Sequence, residues 1–202
     1  MDISEIIRTR RSIRRFIQKT IKRNILIELV DNARCAPSAA NRQPLEYIII
    51  DEAKVMSRLF EELSWAGYVK PKRNPPPFGR PVAYIVVLIN KKRVLGDYGK
   101  ADAAAAIESI ILAAWSKGIG SCWLGSFKQE NIREIFEIPE GYEIDSIIAL
   151  GYPGEKPVME EVKDSNNEEA VKYYLDEKDV LHVPKRKLEN ISHLNMYGRP
   201  FV

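Results

Sequence analysis

The chain has 202 residues, of which 45% are hydrophobic and 29% are charged, and its formal net charge is +3. This composition suits one globular domain, with or without an extension, and argues against a wholly disordered chain. No apolar run approaches the roughly 18 residues that a membrane-spanning helix needs, and residues 1–5 lack the pattern of a secretory signal, so we expect a soluble cytoplasmic protein.

The spacing of apolar residues predicts an alternation of helices and strands along most of the chain. Ser4 and Thr20 are the candidate N-caps of the first two helices. The second helix must end before Pro37, because the residue that precedes a proline is pushed out of the α region. The predicted elements are, in chain order, a helix ending near Thr9, a helix ending before Pro37, a strand at 45–50, a helix at 53–65, a strand at 82–90, a helix at 97–117, a strand at 119–124, a helix at 129–136 and a strand at 142–150.

Three further stretches complete this prediction. Residues 67–81 contain five prolines and are expected to form a stiff surface loop or lid. The helix at 97–117 is apolar on most sides and should be central, with Gly118 ending it. Residues 155–202 lack clear periodicity but carry several apolar side chains, so we interpret them as an arm that packs on another surface, such as a second subunit. The order of elements fits an α/β fold and a layered α+β fold equally well.

Positive charge is concentrated near the start of the chain. Eight basic residues and no acidic residue lie between Arg8 and Arg23. Such a cluster could be an anion site, a nucleic-acid footprint or a solvated face. Nucleic acid is the weaker interpretation, because the stretch holds one aromatic residue, Phe16, and no recognised nucleic-acid-binding pattern accompanies it. A compact anion such as a phosphate group fits better.

Residues 10–16, which read Arg-Arg-Ser-Ile-Arg-Arg-Phe, form the sharpest motif within that stretch. Guanidinium groups bind phosphate oxygens in pairs, and a serine hydroxyl adds a compact donor. In an extended conformation Arg10, Ser12 and Arg14 would project to one side and could grip a phosphate together. A solvated basic surface is the alternative interpretation.

The chain offers little chemistry of its own. Cys35 and Cys122 are expected to be buried and structural, because no adjacent histidine could activate either thiol. The three tryptophans are expected in the core. Both histidines lie near the C-terminal end, so neither a Ser-His-Asp set nor a metal site can be assembled. The glycines at 118–125 do not have the spacing of a dinucleotide fingerprint. No catalytic residue is therefore predicted, and an enzyme built on this chain would take its chemistry from a cofactor.

Four motifs, in this order along the chain, resemble those of the nitroreductase family of FMN-dependent oxidoreductases. They are residues 10–16, residues 36–44 (Ala-Pro-Ser-Ala-Ala-Asn-Arg-Gln-Pro), residues 118–127 (Gly-Ile-Gly-Ser-Cys-Trp-Leu-Gly-Ser-Phe) and residues 149–153 (Ala-Leu-Gly-Tyr-Pro). The resemblance implies an α+β layered fold with a central, mostly antiparallel sheet flanked by helices. It also implies an interlocked homodimer with FMN in the interface, an FMN-binding core at residues 1–154, and a C-terminal extension at 155–202 that packs on the partner subunit.

The resemblance further implies which residues contact FMN. The arginine motif matches positions that hold the phosphate and the ribityl chain, with Arg14 near the pyrimidine edge of the flavin. The loop after Pro37 matches the segment that covers the flavin from the other subunit, and Gly125 matches the place where a backbone N–H meets flavin N5. A basic group near Lys185 matches residues that close on the phosphate. The full set is Arg10, Arg11, Ser12, Arg14, Pro37, Ser38, Ala39, Asn41, Leu124, Gly125, Ser126, Lys185, Arg186 and Lys187.

The activity implied by the resemblance is hydride transfer from NADH or NADPH, through flavin N5, to a small conjugated acceptor such as a nitroaromatic or a quinone. Reductive dehalogenation and oxygen-dependent flavin cleavage are the alternatives within the same fold. A non-enzymatic basic module that binds nucleic acid is the alternative from a different class of protein. The expected partners are a second copy of the chain and a small-molecule acceptor, without nucleic acid, membrane or metal.

Overall fold

The computed structural model describes residues 2–69, 74–162 and 167–200 of the chain. These residues divide into two compact units. The larger unit comprises residues 2–65 and 74–155, and the smaller unit comprises residues 66–69, 156–162 and 167–200. Among these described residues, no helix combines the length and the apolar character that crossing a bilayer would require.

The described residues form five α-helices and eight strands. The helices are α1 (Ile3–Thr9), α2 (Arg23–Ala33), α3 (Ala53–Phe60), α4 (Gly99–Ser116) and α5 (Gln129–Ile135). The strands are β1 (Phe16–Ile17), β2 (Leu45–Ile50), β3 (Ala83–Asn90), β4 (Gly120–Leu124), β5 (Tyr142–Pro153), β6 (Val158–Glu161), β7 (Tyr174–Leu175) and β8 (Leu181–Lys185).

The larger unit is built on a five-stranded sheet whose central strand is β5. β5 pairs with β3 along one edge and with β4 and β1 along the other, while β2 lies beyond β3. Every one of these pairings is antiparallel. All eight residues of β3 are buried, as expected of a strand that is covered on both faces.

Successive side chains of β3 enter two different apolar cores, because side chains alternate between the faces of a sheet. On one face, Val86 belongs to a core that includes Leu59 of α3 and Ile132 of α5. On the other face, Val87 belongs to a core that includes residues of α2 and α4, among them Ile107. Helices therefore flank both faces of an antiparallel sheet, and the predicted α+β class is confirmed.

Both predicted N-caps are wrong. The first helix is capped by Asp2, whose Oδ1 accepts the Glu5 N–H at 2.9 Å. The second helix begins at Arg23 with Lys22 as its N-cap, two residues later than a cap at Thr20 would place it. Ile21 and Leu26 are buried in the same core, which is the arrangement of a hydrophobic staple across a helix start. The burial of Ile21, which precedes the cap, therefore fixes where α2 begins.

The third helix is shorter than the sequence predicts. It ends at Phe60, not at residue 65, because residues that follow it form hydrogen bonds with the segment after β4. Leu63 forms an isolated antiparallel bridge with Phe127, and the Ser64 N–H donates to the Ser126 carbonyl at 3.0 Å. These long-range contacts override the helical pattern of the sequence.

The end of β5 also differs from the prediction, which ended this strand at residue 150. β5 continues to Pro153 because it pairs there with β1, a two-residue strand that the sequence did not predict. The predicted helix end at Gly118 is confirmed by its left-handed φ of 72°. Within the proline-rich segment, residues 70–73 lie outside the described residues, and Pro77–Gly79 forms a single 3₁₀ turn.

The smaller unit contains a three-stranded sheet that the sequence did not predict. β8 is its middle strand and runs parallel to β6 and antiparallel to β7. Ala66, Val69 and Leu181 form its small buried core. The three strands have only four, two and five residues, which is too few for a period of two to stand out in the sequence.

His182 joins the three strands of this smaller sheet. Its Nδ1 lies 3.2 Å from Oε2 of Glu160, its Nε2 lies 3.3 Å from Oδ2 of Asp176, and its ring stacks on Tyr174 with centroids 4.9 Å apart. The hydrogen bond to Glu160, and to a smaller extent that to Asp176, raises the pKa of His182, while burial acts in the opposite direction. The arrangement therefore favours an imidazolium that donates to both carboxylates.

Candidate functional site

Residues 10–16, here called the arginine segment, lie against the edge of the sheet in the larger unit. Ser12 forms an isolated parallel bridge with Ser121 of β4. The Ile13 N–H donates to the Ser121 carbonyl at 2.8 Å, and the Ile13 side chain is completely buried. Phe16, in β1, is 2% exposed. Burial of these two apolar side chains anchors the segment and leaves the polar side chains between them half-exposed.

Two glycines make room for this close approach. A Cβ on Gly120 would lie 2.7 Å from Cγ1 of Ile13, and a Cβ on Gly151 would lie 2.7 Å from Cδ1 of Phe16. Both distances are far below the roughly 3.5 to 4.0 Å at which carbon atoms pack. The two anchors of the arginine segment therefore rest directly on the backbone of β4 and β5.

Glu155 fixes the backbone between the two anchors. Its Oε1 accepts the N–H of Arg14 at 2.5 Å and the N–H of Arg15 at 3.2 Å. Glu155 is half-buried, and a carboxylate that accepts backbone N–H groups forms stronger hydrogen bonds than a neutral acceptor does. One carboxylate thus holds two consecutive peptide groups within the positively charged segment.

The side chains of the arginine segment do not all act in the same way. Arg11 folds back on its own backbone, where its Nη1 donates to the carbonyls of Arg8 and Arg10 at 2.7 and 2.5 Å. Burial, and then the neighbouring charge of Arg10, lowers the pKa of the Arg11 guanidinium. The buried Arg11 Nε has no hydrogen-bond partner among the described residues. A bound anion would offset both the partial desolvation of Arg11 and the repulsion between the two neighbouring positive charges.

Residues 37–43, here called the 37–43 loop, have an unusual backbone. Ala40, Asn41 and Gln43 adopt left-handed conformations with φ of 48°, 54° and 46°, a region that side chains other than glycine rarely adopt. The Ser38 Oγ accepts the Gln43 N–H at 3.0 Å, and Oδ1 of Asp102 accepts the Ala39 N–H at 2.9 Å. Strained loops of this kind occur mostly at ligand-binding sites.

A cavity of about 250 Å³ lies beside the 37–43 loop. Residues from the loop, from the end of α2, from β2, from α4 and from the connection between β3 and α4 line it. Among these lining residues are Pro37, Ser38, Gln43, Tyr47, Arg93 and Asp102. Burial raises the pKa of Tyr47 to about 12, so its hydroxyl stays protonated and can donate at neutral pH.

The strand end predicted to meet the flavin is open. Leu124, the last residue of β4, is buried, whereas Gly125 and Ser126 are exposed. A Cβ on Gly125 would meet nothing within 4 Å, so its backbone is accessible from the side. The Ser126 carbonyl is used in the hydrogen bond from Ser64, which holds the strand end in place.

The predicted basic group near the C-terminal end belongs to the smaller unit. Lys185 ends β8, and its carbonyl accepts the Val162 N–H at 2.8 Å. Lys185 and Arg186 are exposed. Lys187 is half-buried and lies 3.8 Å from the carboxylate of Glu189. Their role at the site stays a prediction.

The predictions for cysteine and tryptophan are partly wrong. Cys122 is buried, and burial raises the pKa of its thiol to about 11, but Cys35 is exposed at the end of α2. Trp65 is in the core, whereas Trp115 is half-buried and Trp123 is 42% exposed. Trp123 reaches the surface because residues of a strand alternate between faces, and its Nε1 donates to the Ser146 Oγ at 2.6 Å.

Sequence reasoning missed the two carboxylates that organise the site. Glu155 follows the Gly-Tyr-Pro-Gly sequence at 151–154, and nothing local links it to a segment about 140 residues earlier. Asp102 did leave a signal, since it is a single acidic residue inside the alanine-rich stretch at 101–106. A lone acid within an apolar stretch of helix predicts a specific buried partner.

Comparison with known proteins agrees with this architecture. The sequence profile of the nitroreductase family matches residues 7–152. A protein of Methanothermobacter thermautotrophicus, named as a candidate NADH dehydrogenase/NAD(P)H nitroreductase, is 32% identical over 161 residues, which cover 78% of this chain and 80% of that protein. A protein of Archaeoglobus fulgidus with the same name is also 32% identical, and the match covers 83% of this chain and 94% of that protein.

Solved structures show the same fold. A protein from Clostridium difficile, described as an FMN-dependent nitroreductase, superposes with a TM-score of 0.69 over 96% of this chain and 99% of that chain, at 21% identity. The extent of the profile match, together with the two relatives above, shows that the chain belongs to the nitroreductase family. The protein is thus an oxidoreductase of that family.

Proposed function

We propose that the protein is an FMN-dependent oxidoreductase that takes hydride from NADH or NADPH and passes it to a small conjugated acceptor such as a nitroaromatic or a quinone. The observation that carries this proposal is the arginine segment, which the sheet edge and Glu155 fix in place and in which the partly desolvated Arg11 guanidinium lies near the like charge of Arg10. Such a site suits the phosphate of a nucleotide cofactor. The relatives named for NAD(P)H nitroreductase activity support the choice of donor, and the Clostridium difficile structure described as an FMN-dependent nitroreductase supports the choice of cofactor.

The residues present fit FMN. The half-buried Arg11, whose Nε has no hydrogen-bond partner among the described residues, provides donors for a phosphate group together with the half-exposed Arg10 and the Ser12 hydroxyl. Arg14 would place positive charge where negative charge develops at the pyrimidine edge of the flavin. Gly125 presents backbone at an open strand end, where its N–H can donate to a flat ring. Bound FMN supplies the hydride-transfer chemistry, and the chain binds and orients it.

We propose a homodimer in which FMN lies at the subunit interface and residues 155–202 pack on the partner. Five large apolar side chains are exposed in the smaller unit within ten residues, at relative exposures between 53% and 93%: Leu188, Ile191, Leu194, Met196 and Tyr197. Exposed apolar clusters of this kind are typical of protein–protein interfaces. Light scattering of the purified protein should therefore give twice the monomer mass of 23.1 kDa.

Flavin binding by Arg10→Ala tests whether the arginine segment binds the FMN phosphate. Titration of the apoprotein, followed by flavin fluorescence, should show that FMN binds more tightly than riboflavin, which lacks the phosphate. Loss of charge-assisted hydrogen bonds should weaken FMN binding by Arg10→Ala about 10- to 100-fold and leave riboflavin nearly unaffected. Arg8→Ala is the matched control, because Arg8 is exposed on α1 and outside the predicted contacts.

A protein that binds no flavin, or an Arg10→Ala variant that binds FMN as well as Arg8→Ala does, would refute this function. With FMN bound, oxidation of NADH and of NADPH is measured with a nitroaromatic and with a quinone as acceptor. Product analysis with halogenated phenols and with oxygen separates the proposed reaction from reductive dehalogenation and flavin cleavage.

A further inference from the structure

Asp102 is a buried acidic residue, and its place in helix α4 does not explain why an acid occurs there. It lies in the first turn of the 18-residue helix α4 and is 5% exposed. Burying an ionised carboxylate is costly unless it is hydrogen-bonded, and alanine, which fills much of this helix, would avoid the cost. The positive end of the helix dipole offsets part of it. A carboxylate that is kept here therefore serves a partner outside the helix.

That partner is the 37–43 loop. Oδ1 of Asp102 accepts the Ala39 N–H at 2.9 Å, across 63 positions of sequence. Oδ2 is buried and has no hydrogen-bond partner among the described residues. Within the described part of the chain, the carboxylate thus makes one hydrogen bond, to a backbone N–H, and Asp102 also lines the cavity beside the loop.

The contact lies directly beside the left-handed part of the loop. Ala39 immediately precedes Ala40 and Asn41, which are both left-handed. Such conformations persist only where several contacts with the surrounding structure enforce them. The side chains of Ser38 and Asp102 contribute to this, since the Ser38 Oγ accepts the Gln43 N–H at the end of the loop and Oδ1 of Asp102 accepts the Ala39 N–H at its beginning.

We propose that Asp102 is a positioning residue for FMN, which holds the 37–43 loop in the conformation that covers the flavin. This inference rests on the proposed function, because the loop has a ligand to cover only if the protein binds FMN. Asp102 acts through the Ala39 peptide group and makes no contact with the cofactor itself. The chain thereby prepares the loop before the flavin arrives, which reduces the ordering that binding would otherwise require.

Hydrogen exchange of the apoprotein tests, without any cofactor, whether Asp102 holds the 37–43 loop. In Asp102→Ala, amide exchange in a peptide covering residues 37–44 should accelerate by about 10-fold or more, the ratio for loss of one hydrogen bond to a charged group. Peptides from β3 should be unchanged, whereas a general loss of stability would accelerate them too. Asp102→Asn keeps an acceptor oxygen and should restore slow exchange. Asp97→Asn, an exposed carboxylate just before α4, is the matched control.

FMN titration of the same variants tests the consequence. Asp102→Ala should bind FMN about 10-fold more weakly than wild type, and Asp102→Asn should lie within about threefold of it. Asp102→Ser, whose side chain is too short to reach Ala39, replaces Asp102→Ala where the latter does not fold.

Each result decides one part of the inference. Unchanged exchange in Asp102→Ala and Asp102→Ser would show that the carboxylate does not hold the loop. Accelerated exchange with unaltered FMN affinity would show that the loop does not cover the flavin. Both results overturn the proposal. A wild-type protein that binds no FMN overturns the proposed function instead, and the exchange data still show whether Asp102 anchors the loop.

Discussion

Gly120→Ala is expected to displace the arginine segment and to destabilise the protein. The added Cβ would lie 2.7 Å from Cγ1 and 3.0 Å from Cβ of Ile13, and 3.2 Å from Cγ of Pro153. Carbon atoms pack at about 3.5 to 4.0 Å, so Ile13 has to retreat by roughly 0.8 Å or more. Ile13 is fully buried, and its N–H donates to the Ser121 carbonyl, so the retreat also strains that hydrogen bond. Overpacking of this kind lowers the free energy of unfolding by about 1 to 3 kcal/mol.

Urea denaturation and FMN titration measure the two effects. The unfolding midpoint of Gly120→Ala should fall while the denaturant slope stays unchanged. FMN affinity should fall as well, because Ser12 and Arg14 flank the displaced residue. Gly141→Ala is the control, since a Cβ there meets nothing within 4 Å and the change should stay within about 0.5 kcal/mol. Equal stability and equal FMN affinity in the two variants would refute the argument that close approach positions the segment.

Two further predictions concern carboxylates and pH. Glu155→Ala leaves two backbone N–H groups of the arginine segment without the Glu155 carboxylate as acceptor and should weaken FMN binding about 10-fold. The FMN affinity of Glu155→Gln should lie between those of the wild type and Glu155→Ala. Equal FMN affinity in the wild type and both variants would contradict the role assigned to Glu155. The pKa of His182 is raised in the folded chain, so its stabilising effect is complete below its unfolded value of about 6.5 and is lost as the pH rises through the higher folded value. Amide exchange in β8 should therefore show an added acceleration across that pH window, which His182→Gln should abolish; an identical pH profile in both proteins would count against the charged contact.

Local patterns were sufficient to predict the central elements of the larger unit. α4 is recognisable because alanine and large aliphatic side chains predominate among its 18 residues, and a glycine with left-handed φ, Gly118, follows shortly after its end. β3 is recognisable as a continuous apolar run, since both of its faces are covered. The arginine segment could be interpreted as a phosphate site from its residue types, because arginine and serine side chains can donate hydrogen bonds to phosphate oxygens in any fold.

The contacts that position those side chains could not be predicted in this way. The Asp102–Ala39 and Glu155–Arg14 hydrogen bonds join residues 63 and 141 positions apart, and no local rule pairs them. Gly120 and Gly151 were visible in the sequence, but their purpose depends on which side chains rest on them. The small sheet of the C-terminal region was missed because short strands are specified by their neighbours more than by their own composition.

The 141 positions between Arg14 and Glu155 also determine when this part of the molecule can form during synthesis. At about 5 to 20 residues per second, a ribosome needs roughly 7 to 28 s to cover that distance. Throughout this interval the first arginines have left the peptidyl transferase centre, while the carboxylate that orders their backbone does not yet exist. The arginine segment can therefore reach its final geometry only after Glu155 has been synthesised, and a prematurely terminated product that stops short of Glu155 carries the cationic motif without the carboxylate that orders its backbone.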